Sequence, residues 1–135
     1  MISQLLLVFI IEYGEDHDFY NQFNGLDNIK YAIIAYVNNS NKPVGCGGFR
    51  KFNDESVELK RMYVKSSYRR FGIAGKILSS LEIWAKEKGF KKCIMETGNR
   101  QIEALKFYQK SGYQRIANYG PYTQISNSNC FEKIL

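Results

Sequence analysis

Long apolar runs, paired cysteines and linker segments are all scarce in this sequence. Its longest hydrophobic stretch, "ISQLLLVFII", is about ten residues long, too short to span a bilayer. It has no basic flank before it and no small-residue cleavage site after it, which argues against a signal peptide. A core element is expected there, strand or helix, because periodicity cannot separate the two in so short a run. Three cysteines, Cys46, Cys93 and Cys130, are odd in number and widely spaced. That excludes a disulfide framework and a zinc cluster, and fits free, mostly buried thiols in a reducing cytoplasm. With His17 the only histidine, Cys93 lacks a neighbouring imidazole in sequence, and an inert thiol is expected. No repeat, low-complexity tract or Pro/Gly/Ser linker divides the chain, so residues 1–135 are expected to form one domain.

Acidic residues thin out along the chain. Residues 1–30 hold one cation, Lys30, against five acids, and the remainder holds 18 cations against 8 acids. A basic chain invites a nucleic-acid reading, since phosphate contacts come mainly from Lys and Arg. Paired Cys/His fingers, a basic heptad helix and an aromatic RNA-binding strand pattern are all missing, however. A compact anion with several negative charges suits the clustered arginines better, and neither a nucleic-acid nor a membrane partner is expected. The acidic stretch "EDHDFY" (15–20) reads as a solvated loop, with an acidic mouth for a cationic amine as the alternative.

What is present is a regular alternation of elements. "KYAIIAYV" and "VGCGGFRKF", separated by the turn-rich "NNSNKP", read as a hairpin, and "VELKRMYV" as a third strand. From Gly72 the period changes. Ile73, Ile77, Leu78, Leu81, Trp84 and Ala85 recur at helical spacing up to Gly89, the expected stop. "KKCIMET" reads as a short strand, "QIEALKFYQKS" as a helix stopped by Gly112, and "GYQRIANY" and "SNCFEKIL" as a closing strand pair. Such an order predicts a layered α/β (α+β) domain with a mixed sheet.

The first helix opens unusually, with "YRRFGIAGKIL". A plain cap would place Ser or Asp there, with one Gly at most. Helix starts carry unpaired N–H groups and about half a positive charge, and small residues let an anion approach them closely. Gly72, Ala74 and Gly75 supply the space, and Arg69, Arg70 and Lys76 the counter-charge. GxxxxGK[ST] and the full GxGxxG spacing are both absent, which excludes a nucleoside-triphosphatase loop and a dinucleotide fold at this point.

"VELKRMYVKSSYRRFGIAGKILSSLEIWAKEKGF", a strand and then "QIEALKFYQKSGY" together resemble the GNAT superfamily of acyl-CoA-dependent N-acetyltransferases over about residues 31 to 135. The family's Arg/Gln-x-x-Gly-x-Gly/Ala segment, which holds the coenzyme A pyrophosphate, is matched by Arg69, Gly72 and Ala74. The resemblance implies a mixed, mostly antiparallel central sheet flanked by helices. It also implies acetyl-CoA as co-substrate and direct transfer to an amine without a metal. The cofactor set it implies comprises Met62, Tyr63 and Val64 on a strand edge, then Arg69, Arg70, Phe71, Gly72, Ile73, Ala74, Gly75 and Lys76, and Gln101 where the family often has Asn.

An ammonium acceptor must lose a proton before it attacks, and a nearby carboxylate can take it. Glu58 matches the family's strand-borne base; otherwise it is an exposed strand carboxylate paired with Lys60 or Arg50. Tyr108 matches the family's acid for the leaving thiolate; otherwise it is a core aromatic. Tyr119 and Tyr122 are expected either to line the acceptor pocket or to cover the sheet. The expected acceptor is a small amine or amino-acid-like compound. A protein lysine or N-terminus, and a coenzyme A-binding module without catalysis, are the alternatives. A monomer and a homodimer both remain open.

Overall fold

The computed structural model describes residues 9–13, 29, 31–37 and 42–135. Among them the strands are β1 (Phe9–Tyr13), β2 (Tyr31–Tyr36), β3 (Pro43–Lys51), β4 (Ser56–Val64), β5 (Lys92–Gly98), β6 (Gln114–Ile116) and β7 (Ser128–Ile134). Helix α1 (Ile73–Glu87) joins β4 to β5, and α2 (Ile102–Lys110) joins β5 to β6. The expected elements are present from β2 onward. The end of the first apolar run is a strand, and residues 2–8 lie outside the described residues, as do the acidic stretch at 15–20 and the tip of the β2–β3 turn. The strand expected over "GYQRIANY" is shorter than read: it ends at Ile116, and Ala117, Asn118 and Tyr119 leave the sheet.

The sheet order is β1-β2-β3-β4-β5-β7-β6. Every neighbouring pair is antiparallel except β4 and β5. Parallel neighbours need a long crossover, and α1 supplies it. The main core lies between one face of the sheet and α1, which buries Ile73, Ile77, Leu78, Leu81 and Ala85. Phe49 stacks on Tyr31 at 4.8 Å, and Trp84 of α1 meets both rings edge-on. A smaller cluster, Ile29, Ala32 and Ile34 with Tyr36 and Cys46, lies apart from this core.

Both helices stop by the same device. Gly89 and Gly112 take φ of 95° and 96°, a conformation that costs other residues energy. The following residues donate back into the last turn, Phe90 N to Ala85 O at 3.1 Å and Tyr113 N to Tyr108 O at 2.9 Å. For α2 this closure fixes Tyr108 and Tyr113 edge to face, 5.5 Å apart.

One irregularity in β4 positions the site. Its register against β3 runs Gly48↔Lys60 and then Cys46↔Tyr63, so Arg61 and Met62 together face Gly47. Arg61 adopts φ 61° at this bulge. One added residue reverses the alternation of a strand. Val57 and Leu59 face the α1 core before the bulge, Met62 and Val64 face it after, and Glu58, Lys60 and Tyr63 share the opposite face.

Candidate active site

Beyond the bulge, β4 parts from β5. Their ladder holds only Ser56↔Lys92, Val57↔Cys93 and Glu58↔Ile94. β5 continues to pair with β7 as far as Gly98↔Ser128, while Leu59–Val64 have no β5 partner. A wedge therefore opens at Glu58, with the backbone of Met62, Tyr63 and Val64 along one side. Backbone polar groups on such an edge that have no partner within the protein can pair with an extended ligand.

The edge leads directly to the helix entrance. Arg69 donates from Nε to the Val64 carbonyl at 2.8 Å and lies 5.6 Å over the Tyr63 ring. One side chain thus ties the strand end to the turn. Arg70 and Gly72 are left-handed, φ 69° and 80°, around an exposed Phe71. No side chain caps α1 and no acid lies in its first turn. Lys76 N is the first amide to reach a carbonyl of the turn, Gly72 O at 3.1 Å, and the amides of Ile73, Ala74 and Gly75 precede it. A Cβ built on Gly72 or Gly75 meets nothing within 4 Å. The turn is open rather than filled by the protein's own side chains, as a bound diphosphate requires.

At the apex of the wedge, Glu58 is 1% exposed. It is paired with Arg50 and Lys60, as the alternative reading has it, but it is not the exposed carboxylate of that reading: Oε1 accepts from Arg50 Nε at 2.9 Å and lies 2.9 Å from Nη2. Oε2 accepts the Tyr119 hydroxyl at 2.7 Å and lies 3.9 Å from Lys60 Nζ. Lys60 in turn donates to the Tyr122 hydroxyl at 2.9 Å. Tyr119 is held edge-on between Phe52 at 5.2 Å and Tyr122 at 5.6 Å. Burial first, and the Glu58 bond second, raise the Tyr119 phenol well above the ordinary tyrosine range.

Tyr108 is the buried residue of α2, and its hydroxyl has no hydrogen-bond partner among the described residues. Burial pushes its phenol above the ordinary range. Gln101 stands at the N-terminal boundary of α2 and caps it by no side-chain bond. Cys93 is fully buried, and burial pushes its thiol up to about 12, so little thiolate exists there at neutral pH. Two participants were not read from sequence: the second donor seat on Glu58, taken by Tyr119, and Phe52 behind that ring. The phase break in "VELKRMYV", apolar at 57 and 59 and again at 62 and 64, was a legible sign of the bulge.

A layered sheet that opens beside an uncapped, glycine-lined helix start defines a protein able to hold a long, diphosphate-bearing ligand along a strand edge. Residues 2–113 match the sequence model of the acetyltransferase (GNAT) family, and the chain belongs to that family. It is 34% identical over 96 residues to an uncharacterized N-acetyltransferase, YjcF, of Bacillus subtilis, covering 71% of this chain and 64% of that protein, a little under two thirds of its length. Its fold matches that of a putative acyl-CoA N-acyltransferase from Klebsiella pneumoniae at a TM-score of 0.82, with 23% identity over 96% of this chain and 99% of the other. It also matches a GNAT family acetyltransferase from Elizabethkingia anophelis with acetyl-CoA bound, at a TM-score of 0.75 with 19% identity over 95% and 98% of the two chains. Among the described residues, no helix is long and apolar enough to cross a membrane.

Proposed function

We propose that residues 1–135 act as one acetyl-CoA-dependent N-acetyltransferase domain that moves the acetyl group directly to a primary amine of a small-molecule or amino-acid-like acceptor. The observation that carries this reading is the continuity of three features: the β4 edge beyond its ladder with β5, the open start of α1 bound to it through Arg69, and the buried carboxylate at the apex between β4 and β5. The amides of Ile73, Ala74 and Gly75 would hold the diphosphate, with Arg69, Arg70 and Lys76 as counter-charges beside Gly72 and Phe71. Met62, Tyr63 and Val64 would pair with the pantetheine arm, whose remaining amide is within the role assigned to Gln101. When bound, the coenzyme supplies an activated acetyl thioester.

The chain's own residues do the rest. Glu58, held by Arg50, is the proton acceptor for the amine. A β4 backbone N–H polarises the acetyl carbonyl. Tyr108 is the acid for the leaving sulfur, and its raised phenol remains protonated at neutral pH, as an acid must. Tyr119 and Tyr122 line the acceptor side with Lys60.

Thiol release with acetyl-CoA across amino acids, amino-acid amides and polyamines tests the reading. At least one amine is expected to be acetylated, and release with none overturns it. Glu58→Gln and Tyr108→Phe are each expected to lose turnover by roughly 100-fold or more while coenzyme A affinity, followed by calorimetry, is kept. Because burial raises the Tyr108 phenol, its proton stays in place as pH rises, so the rate shows no alkaline loss from this group below about pH 10. Full activity of both variants across pH would sink these assignments.

A further inference from the structure

Glu58 cannot be approached like an ordinary surface base. Its carboxylate is 1% exposed. Oε1 is occupied by Arg50, and Oε2 already holds the Tyr119 hydrogen at 2.7 Å, with Lys60 Nζ at 3.9 Å. A general base must come within about 2.6–3.2 Å of the proton it takes, directly or through one intermediary. The half-buried phenol of Tyr119 is such an intermediary. Its single hydrogen is committed to Glu58, so its oxygen turns only lone pairs toward anything else that approaches.

We propose that Tyr119 is the catalytic residue that meets the acceptor, accepting the amine's proton at its phenolic oxygen as it passes its own proton to Oε2 of Glu58. This deepens the reading above and rests on it. The balance is simple. One N–H bond of the ammonium breaks and an O–H bond forms on Tyr119; the original Tyr119 O–H bond breaks and one forms on Glu58. The ammonium becomes a neutral amine, the carboxylate becomes a neutral acid, and the phenol is neutral before and after. No other reactant is needed.

The surroundings suit a relay of this kind. The edge contacts with Phe52 and Tyr122 fix the ring, so the hydroxyl cannot swing away from Glu58. Among the described residues, Arg50 from β3, Lys60 from β4, Tyr122 from the loop and Cys130 from β7 are the titratable and charged groups about this pair. The raised Tyr119 phenol disfavours a lasting phenolate, so both transfers are concerted. Arg50 is a positioning residue, since it acts through Glu58.

Tyr119→Phe keeps the ring and its edge contacts and removes only the relay oxygen. Turnover with the best amine of the panel is expected to fall roughly 100-fold, comparably to Glu58→Gln, with coenzyme A affinity retained. The double variant should be within about threefold of the slower single one, because the two groups act as a unit. In the wild-type enzyme, under conditions where chemistry limits the rate, the dependence on the deuterium fraction of the solvent should curve as two protons move together, and it should become linear in Tyr119→Phe. A linear wild-type plot overturns the relay even if the variant does not fold. So does a Tyr119→Phe enzyme within about threefold of wild type when Glu58→Gln is slow; the acetyltransferase reading then stands with a base that works without Tyr119. Unimpaired activity of both variants instead removes Glu58 as the base, and the relay with it.

Discussion

Gly75 leaves the first turn of α1 without a side chain where the helix presents its unpaired amides, and the space around it is empty to 4 Å. A carboxylate introduced there would have opposite effects on folding and on binding. Gly75→Asp should stabilise the free protein by about 0.3–1 kcal/mol, since an acid near a helix start complements the dipole. The same charge should weaken coenzyme A binding by roughly tenfold, the equivalent of about 1.4 kcal/mol, by competing for the amides. Thermal unfolding without ligand and calorimetry with coenzyme A measure the two; an unchanged affinity would place the diphosphate elsewhere. At this scale the sequence was informative, because "RRFGIAG" states both the space and the charge in consecutive residues. Glu58 was less so. Its residue type and strand were legible, but an isolated strand position does not reveal whether a carboxylate is exposed or sealed.

Among the elements, β4 decides the most. Its bulge brings Met62 against Gly47, where an added Cβ would collide with Met62 Sδ and approach Ile77 Cγ2 at 2.9 Å and Leu81 Cδ1 at 3.0 Å. Gly47→Ala is therefore expected to destabilise the fold by about 1–3 kcal/mol through overpacking, read as a lower denaturant midpoint. Coenzyme A affinity should fall with it, because Met62 belongs to the edge proposed to hold the pantetheine arm. A variant of unchanged stability would mean that the bulge is looser than the register implies. The helices were the easiest elements to read, since a helix needs only its own periodicity and a stop, and Gly89 and Gly112 provide the stops. β6 was overread because an apolar, aromatic segment favours a strand locally, whereas Tyr119 leaves the sheet to reach Glu58 at a separation of 61 residues.

For the molecule as a whole, a second polar cluster ties distant parts of the chain together. Tyr113, 3% exposed, donates to Glu82 of α1 at 2.8 Å, and Lys133 of β7 reaches the other Glu82 oxygen at 3.1 Å. The phenol hydrogen-bonds a charged group in a largely dry setting, which is worth about 1.5–3 kcal/mol. Tyr113→Phe should accordingly lower the melting temperature by roughly 5–10 °C, measured by calorimetry; a shift below a degree or two would mean that water replaces the hydroxyl at no cost.

The sequence by itself determined the order of elements from β2 onward, the helix start that suits an anion, and the family, because each depends on residues that are neighbours along the chain. Tertiary structure alone decided that β4 and β5 separate at Glu58, that Tyr119 closes over the carboxylate, and that Arg69 fastens the strand end to the turn. Those outcomes depend on which groups arrive at the same point when a shared core excludes water, and local periodicity carries no record of a partner 61 residues away.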